Sequence, residues 1–178
     1  MILGMTTATF TLVHVVISLI GIVTGAVVLA EMIAGRRLGG WNAVFLVTTV
    51  ATSVSGFFFH SASFGPPHVV GLISLVVLAV ALMAFYGRHL AGFWRAIYVV
   101  AAVLALYLNV FVGVVQAFQK LPSLEALAPT QTEPPFLVAQ SMVLGAFVIL
   151  GFLAVRRFQP GWPVSSRDTL VRSVTRQQ

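Results

Sequence analysis

The sequence predicts an all-α protein, a polytopic membrane bundle of five transmembrane helices, and three observations predict it. Hydrophobic residues make up 59% of the 178 residues and charged residues only 8%, which is not the composition of a soluble domain. Apolar stretches long enough to cross a hydrocarbon core of roughly 30 Å recur along the chain. The ten lysines and arginines lie between and after these stretches. That placement indicates membrane topology and not a nucleic-acid interface.

Each apolar stretch is expected to be a helix, because an open strand in lipid would leave its backbone groups unpaired. The five stretches cover about residues 9–34, 41–60, 67–86, 95–119 and 136–155. No basic segment and no clear cleavage site accompany the first stretch, so we interpret it as an anchor and not as a signal peptide. Residues 1–157 would then form one transmembrane bundle. Residues 158–178 would form a basic tail in which a short amphipathic helix could form.

The basic residues predict the orientation of the chain. Arg36 and Arg37 lie in the first connection, Arg88 and Arg95 lie beside the third, and further arginines fill the tail. The second connection has no lysine or arginine. The positive-inside rule therefore predicts a multi-pass protein of a bacterial cytoplasmic (inner) membrane, with the N-terminus outside and the C-terminus in the cytoplasm.

Two similar loops predict a tandem duplication of a helical hairpin, followed by one extra helix. The segment GRRLGGW opens at Gly35 and GRHLAGF opens at Gly87, 52 residues later. The repeats would cover about residues 9–60 and 67–119, with the fifth helix at about 136–155. In this alignment His14 and His68 lie 21 and 19 residues before the loop glycines, at nearly matching depths. The alternative is that short basic loops near a membrane tend to reuse glycine, arginine and an aromatic residue.

The candidate site is a set of polar residues that the topology places in the outer half of the membrane. Polar groups at membrane depth are costly and are therefore functional candidates. Along the first helix, His14, Ser18, Gly21 and Gly25 share one face, which is expected to point into the bundle because small residues let helices approach closely. The predicted cofactor-binding residues are His14, His68, His60, Gln116 and Asn109.

Imidazoles in a chain without cysteine favour b-type haem, with quinone or copper less favoured. His14 and His68 would be the axial ligands, and His60 would be an alternate ligand or a proton-handling group. A structural interpretation stays open for every one of these residues. His14 would bridge two helices, His60 and His68 would meet interfacial water, and Asn109 and Gln116 would form interhelical hydrogen bonds. No catalytic residue is predicted.

Three functions are therefore compatible with the sequence. The leading hypothesis is a small redox-associated membrane protein that binds b-type haem, quinone or a metal between helices in the outer half of the bilayer. The alternative is a non-catalytic accessory subunit, without a cofactor, that docks a larger membrane complex through its small-residue faces and basic tail. A small transporter or channel is the second alternative. The expected partners are the lipid bilayer and a larger complex or further copies of the chain, and no nucleic acid is expected.

The segments GRRLGGWNAVFLVTTVATSVSGFFF and ALAPTQTEPPF resemble those of a family of small bacterial multi-span inner-membrane proteins without an established activity. The resemblance implies a bacterial inner-membrane setting. In that family the first basic loop often reads His-Arg-x-x-Gly. Arg36 stands at the histidine position here, followed by Arg37 and Gly40, so a ligand role at that position is not carried over.

Overall fold

The computed structural model describes residues 4–59 and 65–159, so His60 and the predicted tail helix lie outside the described residues. The described part is all-helical. Its helices are α1 (Thr7–Ile33), α2 (Gly40–Gly56), α3 (Pro66–Leu82), α4 (Trp94–Lys120), α5 (Pro122–Glu125) and α6 (Pro134–Arg157), and a π-helical turn, Met83–Gly87, extends α3.

Four of these helices are long and apolar enough to span a membrane: Thr7–Ile33, Pro67–Gly87, Trp94–Lys120 and Pro134–Arg157. The predicted number of five is not confirmed, and α2 accounts for the difference. It ends at Gly56 and has 17 residues, which at 1.5 Å per residue gives a length of about 26 Å. That is slightly less than the roughly 30 Å of a typical hydrocarbon core. The chain is a membrane-embedded helical bundle.

The first four long helices close a ring. Helix α1 packs against α2 and α3 against α4, and contacts between α2 and α3 and between α1 and α4 join the two hairpins. Helix α6 lies outside this ring against α4 and α1. This arrangement is compatible with the predicted duplicated hairpin and extra helix, and the duplication itself stays a prediction.

Small residues let the helices approach closely in the bundle interior. Gly25 of α1 faces Phe45 of α2 and Leu106 of α4, and a β-carbon on this glycine would lie only 2.6 Å from Leu106 Cδ1. Phe45 and Leu106 are both buried. Because lipid tails are as apolar as these side chains, close packing and not water exclusion stabilises such contacts between membrane helices.

The helix ends are fixed by local contacts. The hydroxyl of Thr6 accepts a hydrogen bond from the Thr9 amide and caps α1, which ends before Gly35 in the left-handed region at φ +66°. At the opposite end of the chain, the Arg95 guanidinium donates to the carbonyls of Val155 and Phe158. This contact joins the start of α4 to the C-terminal end of α6.

Candidate functional site

His14 forms a hydrogen bond between α1 and the C-terminal part of α2. Its Nδ1 lies 2.7 Å from the hydroxyl of Ser55 on α2. The Ser55 hydroxyl donates its one proton to the Thr52 carbonyl at 3.1 Å, so Nδ1 of His14 is the donor to Ser55. The ring also meets Phe59 edge-on, with the centroids 5.1 Å apart. This is the contact that the structural interpretation of His14 expects.

His68 lies in the first turn of α3 and contacts the backbone of the residue that precedes this helix. The Gly65 amide donates to Nδ1 of His68 at 3.3 Å, and the imidazole ring lies 5.9 Å from the ring of Phe57. A neutral imidazole that accepts through Nδ1 has its proton on Nε2, which then offers no lone pair to a metal. In this geometry His68 acts as a helix cap.

The two histidines contact different residues at the end of α2. His14 and Phe10 pack against Phe59, whereas His68 packs against Phe57. Their hydrogen bonds go to Ser55 and Gly65 respectively. His60, the third predicted imidazole, lies outside the described residues.

Asn109 and Gln116 lie seven residues apart on one face of α4, but the structure places them in different environments. Asn109 is buried in the bundle beside Gly21, and its Nδ2 would lie 3.1 Å from a β-carbon on that glycine. Gln116 is exposed, and its Nε2 lies 3.5 Å from Oε1 of Gln119. The structure therefore does not bring Gln116 into the bundle interior.

The structure contains a buried polar pair that the sequence did not reveal. The hydroxyl of Tyr98 on α4 donates to Oδ1 of Asn42 on α2, and both side chains are buried. Asn42 lies near the N-terminal end of α2, where a polar residue could equally face water. The one sequence signal for this pair is that an amide and a phenol lie at matching depths of two neighbouring helices.

Gly21 and Gly71, on the helices that carry His14 and His68, lie close to neighbouring side chains. A β-carbon on Gly71 would lie 3.1 Å from the ring of Phe57, and one on Gly21 would meet Asn109, Thr48 and Thr49. No group of three or more histidine, aspartate or glutamate side chains that could hold a metal ion occurs within residues 4–59 and 65–159.

Two apolar grooves open on the described surface, and neither is lined by a predicted site residue. A groove of about 420 Å³ lies between α3 and α4 and is lined by residues such as Val80, Ile97 and Leu104. A second groove of about 250 Å³ lies between α1, α4 and α6, with Ile22 and Leu150 among its lining residues. Grooves without a polar group suit lipid chains or other helices better than a ligand whose orientation must be fixed.

The loop between α5 and α6 is held by hydrogen bonds to Glu133. Its carboxylate accepts hydrogen bonds from the amide and hydroxyl of Thr130 and from the amide of Thr132, at 3.1, 2.9 and 3.1 Å. Desolvation raises the pKa of Glu133, but these hydrogen bonds outweigh it and hold the pKa below its ordinary value.

Helix α6 contacts the ring mainly with one face and presents the opposite face outward. Its buried residues are Phe136 near one end and Ala154 near the other. Ser141 and Gly145 lie one turn apart on the opposite face, both exposed, and no heavy atom lies within 4 Å of a β-carbon placed on Gly145. Met142 and Phe152, which are 70% and 54% exposed, flank this small pair.

Comparison of the chain with protein-family models, with curated proteins and with solved structures gives no match. The bundle and its contacts are therefore the basis for a functional proposal.

Proposed function

We propose that this chain is a non-catalytic integral-membrane subunit that assembles with a larger membrane protein through the outward face of α6. The observation that carries the proposal is the exposed Ser141 and Gly145 pair, with open space over Gly145. A helix that faces only lipid has no need of small residues. A pair of small residues four positions apart is typical of close helix–helix contact in membranes, because it lets two backbones approach.

Polar contacts near both ends of α6 support this proposal, because they hold the outward face in place. At the cytoplasmic end Arg95 donates to the carbonyls of Val155 and Phe158. Toward the outer end Nε2 of Gln140 donates to the Phe111 carbonyl at 3.2 Å. A helix fixed in this way loses little further freedom when a partner docks, so more of the contact energy is available for binding.

The proposed setting is a bacterial inner membrane, with all five long helices crossing it, the N-terminus outside and the C-terminus in the cytoplasm. Helix α2 is short, but aromatic residues at its two ends, Trp41 and Phe57, are exposed and suited to the interfaces. A short helix can be accommodated by local thinning of the bilayer at modest cost.

The proposal is tested by the native mass of the tagged chain in mild detergent. We expect the wild type to migrate as a complex with a second polypeptide, and Gly145→Leu to release the monomer by filling the open space on α6. Ala146→Leu is the matched control, because Ala146 is also exposed but lies about 100° further round the helix. Its complex should persist.

A monomeric wild type, or a Gly145→Leu complex as stable as the wild type, would contradict the subunit proposal. A complex whose mass is an integer multiple of the chain would replace the larger partner with further copies of this chain.

Haem ligation by His14 and His68 stays a prediction of the sequence, with quinone or copper as its alternatives. A reduced-minus-oxidised absorption spectrum of protein from haem-replete cells tests it directly. Bands that disappear in His14→Ala and in His68→Ala would establish ligation. No bands, or bands that survive both substitutions, would exclude this ligand pair. We favour the subunit proposal, because the imidazoles bond to different residues and the Phe57 ring lies close to Gly71.

A transport function finds less support in the bundle interior. Phe45 and Leu106, both buried, close over Gly25 where α1, α2 and α4 meet. Substrate flux in proteoliposomes would test it.

A further inference from the structure

Three polar side chains from two helices converge on Gly21, about halfway along the bundle. A β-carbon placed on Gly21 would lie 3.1 Å from Nδ2 of Asn109 and 3.3 Å from each of the hydroxyl oxygens of Thr48 and Thr49. The three polar atoms therefore lie together beside the glycine, closer than an ordinary van der Waals contact to the position that a β-carbon would take. A side chain at this position would press against all three.

Two of these polar atoms have no hydrogen-bond partner among the described residues. Nδ2 of Asn109 and Oγ1 of Thr49 are buried, and their side chains are 9% and 2% exposed. Neighbouring hydroxyls are satisfied by their own helix, since Thr48 donates to a carbonyl one turn earlier at 2.7 Å and Ser53 does so at 2.9 Å. Thr49 forms no such bond, and its hydroxyl oxygen lies near Gly21 instead. Burial of unpaired polar groups is costly, so a ligand that pairs with them is favoured.

We infer that one water molecule binds above Gly21 and bridges Asn109 to Thr49 and Thr48. The Asn109 amide would donate to the water oxygen, and the two water protons would go to the hydroxyl oxygens of the threonines. Thr48 can only accept, because its own proton is donated to the Val44 carbonyl. Three hydrogen bonds are typical of a buried water molecule.

The position of the site indicates that this water enters from the outer side. One turn outward from Gly21, the hydroxyl oxygens of Ser18 and Thr52 lie 3.3 Å apart, and a further turn outward lies His14, whose carbonyl accepts from Ser18 at 2.8 Å. These side chains are half-buried. One turn inward, Phe45 packs over Gly25 and closes the bundle. The site would thus be the inner end of a short polar column. This inference is independent of the proposed subunit function.

Water-edited solid-state NMR of the protein in lipid bilayers tests the site. We expect magnetisation transfer from water to the side-chain amide of Asn109. Gly21→Ala should abolish this transfer, because its methyl group would take the volume between the three polar atoms. Gly113→Ala is the matched control, because the nearest neighbour of its β-carbon is Ile22 Cδ1 at an ordinary 3.8 Å, and it should keep the transfer.

A second variant keeps the test decisive if Gly21→Ala does not fold. Thr49→Val removes one bridging hydroxyl without changing the side-chain shape and should reduce the transfer at Asn109 several-fold. Thr24→Val is its control, since the Thr24 hydroxyl bonds within its own helix, to the Ile20 carbonyl at 2.7 Å and the Gly21 carbonyl at 3.4 Å. The inference is overturned if the folded wild type shows transfer at His14 but none at Asn109, or if transfer persists unchanged in Gly21→Ala or Thr49→Val.

Discussion

Substitution of Gly25 by alanine tests the packing of the bundle most sharply. A β-carbon on Gly25 would lie 2.6 Å from Leu106 Cδ1 and 2.8 Å from Phe45 Cε2, both shorter than the contacts that real β-carbons make. Phe45 and Leu106 are only 1% and 3% exposed, so neither side chain can move aside into lipid. Overpacking of this kind costs about 1–3 kcal/mol, and the better helix propensity of alanine returns about 0.5–1 kcal/mol. The difference between these two ranges is about 0–2.5 kcal/mol, so we expect Gly25→Ala to lower the free energy of unfolding by about 1 kcal/mol.

Reversible unfolding in mixed micelles, followed by circular dichroism, measures this loss. Gly113→Ala is the control, because its β-carbon makes only an ordinary contact and the variant should be as stable as the wild type or slightly more so. If Gly25→Ala equals or exceeds the wild type in stability, the close approach of α1 to Phe45 and Leu106 is wrong.

Three further predictions concern polar contacts. Tyr98→Phe should lower the free energy of unfolding by about 1–3 kcal/mol in the same assay, because it leaves the buried Asn42 amide without its partner; a neutral substitution would contradict that hydrogen bond. Arg95→Ala should speed hydrogen exchange at the C-terminal end of α6, because the guanidinium no longer binds the carbonyls there. Unchanged exchange at this end would contradict the contact. Glu133 has a lowered folded pKa, so its contribution to stability is complete above the ordinary pKa of 4.5 and is lost as the pH falls through the folded pKa. On acidification the protection factor of the Thr130 amide, its exchange rate compared with that of an unstructured amide at the same pH, is expected to fall, and Glu133→Gln should remove this pH dependence.

The membrane class and the inward face of α1 could be predicted from the sequence. Spacing of four, three and four residues puts His14, Ser18, Gly21 and Gly25 on one helix face, and the structure confirms that this face meets α2. Spacing is sufficient here because small and polar residues in lipid are stabilised only by a neighbouring helix.

The partners of that face could not be predicted. Ser55 and His14 are 41 residues apart, and nothing local specifies which helix lies opposite. Gln116 lies two turns from Asn109 on the same face of α4 but is exposed. The sequence of one helix does not reveal whether a neighbouring helix extends far enough to cover that turn. The sequence predicts that α2 ends at residue 60, whereas the helix ends at Gly56. The apolar run continues into the turn that contains Phe57 and Phe58, so hydrophobicity alone does not mark the helix end.

Cysteine crosslinking along α6 tests the central claim, docking through its outward face, most directly. The chain has no cysteine, so single substitutions can be introduced without background. In native membranes, with a short bifunctional thiol and amine reagent, we expect one adduct of constant mass at Ser141→Cys and Gly145→Cys. Val23→Cys, on the 63%-exposed lipid side of α1, should give none. Adducts at all three positions alike, or no adduct at positions 141 and 145, would contradict the account.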